Sequence, residues 1–321
     1  MKTRPGRKPR VLMLGLPFFG QRLATDLSTR GWTARFRHHP GHNPRAWAAV
    51  LRDLHRADVL YLISARAEKG SPLDRLLQVF PKPVVIHWVG TDVLIAAGEH
   101  ARGNLSRRVV ARAAHWCDTP WLVGELADIG ITATYVALPV ANLSKGPPAP
   151  LPDGFRALMY LPVDAFDREV FDMETILRLP SAFPAVEFVL IPSPGETLPG
   201  PLPRNLDARD WVTDMDALYA SVSCYIRLTH HDGMPFTVLE ALSRGRHVIF
   251  THPMAGTRAA AGFDAVSAAI RELLAAHGAG TLVLNAEGIA AVADAFDGDR
   301  LGRNLSRRLW HVLRPPTVSP T

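Results

Sequence analysis

Short apolar runs rich in Val, Ile and Leu alternate with stretches of helical period along almost the whole chain. RVLMLGL, TARF, DVLYLI and PVVIHW read as strands, with QRLATDLSTR, PRAWAAVLRDLHR and SPLDRLLQVF as the helices between them. Runs this apolar suit strands covered on both faces, so the alternation predicts an α/β fold with parallel sheets and helices on either side. The pattern breaks once, at KGPPAPLPDG (145–154), where four prolines and two glycines can continue neither a helix nor a central strand. FRALMYL, VEFVLI, SCYIRL and HVIF then resume it, with EVFDMETILRL and DALYASV among the intervening helical stretches. The expectation is two doubly wound, Rossmann-like domains facing a cleft. The first covers 1–144, a linker 145–154 and the second 155–321, with the last helix (302–314) packing on either domain.

At 321 residues the chain has room for two ordinary cores. Its two cysteines, Cys117 and Cys224, lie outside any CxxC pattern and suit a reducing cytoplasm. The start, a basic arm before VLMLGLPFFG, reads as a first strand and not as a secretory signal, because an amphipathic helix follows instead of a small-residue cleavage site. No run approaches the roughly 18 apolar residues of a membrane span. Charge is uneven: residues 1–150 hold 21 Lys and Arg against 10 Asp and Glu, while the whole chain carries +6. A basic first half suits nucleic acid, anionic lipid, a phosphorylated substrate, or solubility alone. No nucleic-acid motif accompanies it, so nucleic acid is not expected as a partner. His38, His39 and His42 cluster around Pro40 without helical ligand spacing, and read as a surface turn instead of a metal site.

The densest chemistry is in HHDGMPFTVLEALSRGRHVIF (230–250). SCYIRL before it reads as a buried strand, so HHDG is the turn at its carboxyl end, the edge where ligands of open parallel sheets bind. Pro235 suits the first position of the next helix and Gly245 its stop. The amides around Gly233 and Met234 offer N–H groups to a diphosphate. Glu240, in an otherwise apolar helix, needs a polar partner or a ligand hydroxyl. Asp232 as a helix cap and Glu240 as a satisfied core acid is the plainer alternative.

DGMPFTVLE followed by ALSRGRHVIF resembles the acidic-x7-Glu signature of GT-B glycosyltransferases, particularly the GT4-like (group 1) families. The resemblance gives Asp232 the donor-sugar hydroxyls and Glu240 the ribose diol of the nucleotide. The chain departs from the pattern by using Asp at the first acid and Pro235 at the second glycine. The segment NLDARDWVTDMDALYASVSCYIRL is similar to the one preceding the signature. Within it Trp211 and Tyr219 read as core residues, and the acids of Asp214-Met-Asp216 as helix caps instead of a metal pair. The Arg-x4-Lys pair that meets diphosphate charge in these families is missing from MYLPVDAFDREVF. Arg168 and Arg227 are the remaining candidates, with structural or surface roles as the alternative.

In the first half, IHWVGTDVL (86–94) resembles the segment ending His-Gly-Ser/Thr-Asp in the same families. Gly90, Thr91 and Asp92 match, while Val89 stands at the histidine position and His87 lies two residues earlier. Asp92 and His87 are therefore the candidate catalytic residues near an acceptor hydroxyl, with a buried core histidine the alternative for His87. Gly20, in LGLPFFGQRL, is expected in a loop at the cleft edge; that loop does not spell GxGxxG, and a nicotinamide cofactor is not implied.

The resemblance implies a metal-independent hexosyltransferase with no cofactor, taking a nucleotide-diphosphate sugar to a glycan or lipid-linked acceptor in polysaccharide or glycolipid assembly, with retention at the anomeric carbon. It implies a cytoplasmic protein, peripheral to an anionic membrane face through its basic half. A sugar-nucleotide epimerase of the same fold and a non-catalytic GT-B-like binding subunit are the competing readings.

Overall fold

The computed structural model describes residues 7–38, 43–139, 141–144 and 146–314. His39, Pro40 and His42 of the predicted histidine turn lie outside them. The chain divides into two compact units, residues 1–140 with 296–321, and residues 141–295.

The first unit runs β1 (Arg10–Gly15), α1 (Pro17–Thr29), β2 (Thr33–Arg37), α2 (Pro44–Arg56), β3 (Val59–Ile63), α3 (Pro72–Val79), β4 (Val84–Trp88), α4 (Thr91–Ala101), α5 (Arg107–Arg112), β5 (Ala113–Cys117), α6 (Trp121–Asp128) and β6 (Ala133–Tyr135). Its six strands are parallel in the order β2-β1-β3-β4-β5-β6. Every residue of β3 and β4 is buried, as strands covered on both faces require. Leu60, Ile86, Trp88, Val109, Leu122 and Leu126 anchor one side of the core. AAHWC and ATY lack a long apolar run, and tertiary pairing makes them strands.

The second unit runs β7 (Arg156–Tyr160), α7 (Ala165–Arg168), α8 (Met173–Ala182), β8 (Glu187–Ile191), β9 (Leu206–Ala208), α9 (Met215–Ala220), β10 (Cys224–Arg227), α10 (Phe236–Ser243), β11 (His247–Phe250), β12 (Arg258–Ala259), α11 (Gly262–Gly278) and α12 (Ala286–Ala295). Its strands are parallel in the order β12-β11-β10-β7-β8-β9. The chain winds outward from β7 to β8 and β9, then crosses to β10 on the other side. The strand order therefore reverses between β7 and β10, and their carboxyl ends are the edge at which open parallel sheets generally take up ligands.

The final helix, α13 (Gly298–Leu313), belongs to the first unit. The Trp32 indole donates to the Ser306 hydroxyl at 2.8 Å and lies 5.2 Å from the Trp310 ring, and Arg30 pairs with Asp299 at 3.0 Å. The proline-rich stretch forms neither helix nor strand among its described residues. Its Ala149 and Pro150 carbonyls accept from the guanidinium of Arg246, a fully buried arginine that also donates to Val222 and Arg244 carbonyls.

Two sequence expectations change here. Gly20 lies inside α1, not in a loop, and a Cβ there would sit 2.2 Å from the Phe36 ring of β2. It is a packing glycine that lets helix and strand close. Trp211 is 74% exposed, in contrast to the fully buried Tyr219, so only the tyrosine is a core residue. Gly20→Ala is expected to lower unfolding stability by ~1–3 kcal/mol through overpacking. Denaturant melts check this; an unchanged midpoint would mean that Phe36 yields freely.

Candidate functional site

Arg227 ends β10, and Asp232 follows in the turn into α10. The guanidinium donates Nε–H to Asp232 Oδ2 at 2.6 Å and Nη2–H to Oδ1 at 3.1 Å. Its carbon lies 5.0 Å from the Tyr160 ring centroid and 5.1 Å from that of Phe171. Burial works against the charge of Arg227, but the ion pair with Asp232 outweighs it and raises the pKa. The two residues expected to act separately, one on sugar and one on phosphate, form a single ion pair at the β7/β10 switch point. Thr229 adds a weaker hydroxyl contact to Asp232 at 3.4 Å.

The helix α10 begins at Phe236 with Pro235 as its N-cap, one position later than the sequence suggests, and the proline side chain offers no cap hydrogen bond. Gly233 and Met234 are buried in the turn before it. At the other end Gly245 has φ 69°, and the Gly245 and Arg246 amides donate to the Leu242 and Ala241 carbonyls. This closing turn needs a left-handed residue, which glycine supplies without strain.

Glu240 is half-buried on α10. Its Oε1 accepts from the Asn142 amide at 3.2 Å, and its Oε2 from the Tyr219 hydroxyl at 3.4 Å, both long contacts. An open groove of about 620 Å³ lies alongside, lined by Asn142, Ser144, Asp216, Arg244 and Arg246. That volume suits a small ligand. Asp214 caps α9 by accepting from the Ala217 amide at 2.9 Å, as expected, while Asp216 pairs with Arg244.

Arg168 is committed elsewhere. Its guanidinium donates to the Pro162 and Thr197 carbonyls and to the Ser193 and Thr197 hydroxyls, tying the loop after β7 to the loop after β8. Its place in the structure is that of a staple. Sequence reasoning missed Tyr160, Phe171 and Thr229 as the walls of the Arg227–Asp232 pair. The signal was available in the aromatics of MYLPVDAFDREVF, where only cations were sought.

In the first unit, His87 is fully buried on β4 between Tyr61 and Trp116. The Tyr61 hydroxyl lies 2.6 Å from Nδ1, and burial pushes the imidazole pKa down to about 3, with the Val136 backbone opposing. His87 is an enclosed core histidine held neutral by burial, which is the alternative the sequence left open for it. Asp92 stands in the first turn of α4, 4% exposed. Its Oδ1 accepts from the Val89 amide at 3.0 Å, while Oδ2 has no hydrogen-bond partner. Burial raises its pKa to about 7 against the opposing amides of the 89–93 turn. A carboxyl poised there exchanges a proton near neutral pH.

Among the described residues no group of three His, Cys, Asp or Glu side chains is placed to hold a metal ion. No described helix is long and apolar enough to cross a membrane.

The sheet orders and their coverage compare with known structures. Sucrose-phosphate synthase (tll1590) from Thermosynechococcus elongatus is 12% identical, with a TM-score of 0.70 over 95% of this chain and 99% of that chain. The chain has the GT-B fold. WaaG, a glycosyltransferase involved in lipopolysaccharide biosynthesis, is 14% identical with a TM-score of 0.56, over 93% of this chain and 99% of that one. The pneumococcal O-GlcNAc transferase GtfA, solved with UDP and GlcNAc, is 12% identical with a TM-score of 0.56, over 84% of this chain and 60% of that one. No protein-family model matches the chain, and no curated protein matches it by sequence.

Within this GT-B chain Asp92 gives a pH signature. Its folded carboxyl keeps its proton to about pH 7, whereas an unfolded one releases it near 3.8. The folded state therefore loses stability as pH rises through that window. Asp92→Asn is expected to melt higher than the wild type at pH 8, by on the order of 1–3 kcal/mol, with the advantage vanishing toward pH 4. Parallel melting profiles across pH would contradict a raised Asp92 pKa.

Proposed function

We propose that this GT-B chain transfers a sugar from a nucleoside diphosphate sugar to a hydroxyl acceptor. The observation that carries the reading is the second unit's switch point. An arginine held in place at the strand ends stands beside the start of α10, and Glu240 lies farther along that helix next to an open groove.

The reaction breaks the bond between the anomeric carbon and the β-phosphate oxygen, and the diphosphate leaves with the bonding pair. The acceptor oxygen bonds to the carbon and gives up its proton. Arg227 and the amides of the Gly233–Met234 turn before α10 stabilise the departing diphosphate, which favours the charge-separated transition state over the ground state. No metal is required in this scheme. Glu240 accepts hydrogen bonds from the ribose diol, which displaces the long contacts it now makes with Asn142 and Tyr219. Asp92, with its pKa near neutral and its unpartnered Oδ2, takes the acceptor proton in the first unit. Retention follows from the acidic-x7-Glu resemblance, and a glycan or lipid-linked acceptor fits polysaccharide or glycolipid assembly.

Calorimetric titration with UDP, GDP, ADP and dTDP is the direct check. One nucleotide is expected to bind at about micromolar strength, and Glu240→Ala to lose ~10-fold or more of that affinity. Binding of none would refute the donor site. Binding without turnover of any sugar nucleotide across acceptors would instead favour a non-catalytic subunit, and release of an altered sugar nucleotide without acceptor would favour an epimerase.

An anionic membrane surface, on the cytoplasmic side, is the proposed setting. Support comes from α2, whose exposed side carries Trp47 and Leu51 beside Arg45, Arg52 and Arg56. Co-sedimentation is expected with vesicles containing anionic lipid and not with neutral ones, and Trp47→Ala/Leu51→Ala is expected to weaken it. Equal binding to both vesicle types at low salt would remove the membrane from the proposal.

A further inference from the structure

The Arg227–Asp232 pair is built as a fixture. The Arg227 side chain is 11% exposed and that of Asp232 14%. Two oxygens of the carboxylate meet two N–H groups of the guanidinium, at 2.6 and 3.1 Å. The Tyr160 and Phe171 rings flank the guanidinium. The surrounding turn is itself tied down. Phe171 and Thr229 form an antiparallel bridge, and the Thr229 amide donates to the Thr251 hydroxyl at 3.0 Å. A cation this enclosed is costly without its anion, and the planar fork is held in one orientation only while the carboxylate grips it.

The acidic-x7-Glu resemblance assigns the first acid to the sugar. In this chain that acid is an aspartate turned onto an arginine, the Arg-x4-Lys pair the resemblance expects after β7 is missing from MYLPVDAFDREVF, and Arg168 within it is bonded to Pro162, Ser193 and Thr197. We propose that Asp232 is a positioning residue: it aims the remaining N–H edge of Arg227 at the β-phosphate of the donor and takes no part in binding the sugar. The inference rests on the reading that the second unit binds a nucleoside diphosphate.

The carboxylate has two opposed effects. It lowers the net charge facing the phosphate, and it fixes the fork that makes the hydrogen bonds. Of the guanidinium's five N–H donors, two are spent on Asp232 and a further hydrogen bond goes to the Tyr225 hydroxyl, while the remaining donors lie in the plane that the carboxylate fixes. Charge-assisted, oriented hydrogen bonds dominate phosphate recognition by arginine, so orientation outweighs the lost point charge.

The test pairs each diphosphate with its monophosphate: UDP with UMP, GDP with GMP, ADP with AMP. Calorimetry is run on the whole chain as wild type, Asp232→Asn, Arg227→Lys and the double variant. For the base that binds, Asp232→Asn is expected to weaken the diphosphate by ~10-fold or more and leave the monophosphate unchanged. Arg227→Lys keeps the charge but loses the fork, and is expected to show the same split. The double variant is expected to lose little more than either single one, because both changes remove one interaction. Diphosphate affinity that is unchanged or raised in Asp232→Asn would overturn the inference, as would loss that falls only on the intact sugar nucleotide. Equal loss of mono- and diphosphate would show a structural role and overturn it too. If the wild type binds no nucleotide at all, the donor-site reading fails first and takes the inference with it; nucleotide binding that depends on Glu240 but not on Asp232 sinks the inference alone.

Discussion

Parallel strands must be covered on both faces, and this requirement shapes both units. A strand such as β4, buried at every residue, offers no polar surface along its length. Each connection has to return over the sheet as a helix, so polar side chains collect where strands end and helices begin. Arg227, Asp232, Gly233 and Asp92 all stand at such carboxyl ends. The chemistry is concentrated there because the interior of the sheet cannot accommodate it.

Three buried ionisable groups show how differently the fold resolves that pressure. Arg246, with no carboxylate, is satisfied by main-chain carbonyls and ties the proline-rich stretch to the body of its unit. Arg227 is satisfied by one carboxylate, which keeps its charge and fixes its plane. Asp92 is only half satisfied, and burial answers by raising its pKa. The first arrangement is structural. The other two leave a held charge in one unit and an exchangeable proton in the other.

The sequence conveyed the α/β architecture well because its evidence is local. RVLMLGL, DVLYLI, PVVIHW, VEFVLI and HVIF are strands whose composition suits no other element of that length. The resemblance in DGMPFTVLE likewise pointed to a GT-B fold, which the solved structures share. AAHWC, ATY, LDA and the two-residue β12 went unread because a short polar strand is made by its neighbours in the sheet, not by its own residues.

Side-chain roles were less legible. Pattern alone placed Asp214 as a cap, Tyr219 in the core and Gly245 at a helix end, because each follows from backbone geometry within a few residues. It misjudged Gly20 and Trp211, whose surroundings come from residues distant in the chain, and it left His87 open between two roles and α13 between two domains. What the sequence by itself determined was where strands end and helices begin, and so which residues reach a carboxyl edge. Whether those residues stand alone or grip one another was decided only in the tertiary structure. Arg227 meets Asp232, Tyr160 and Phe171 because β10 pairs with β7, a pairing that no local pattern contains.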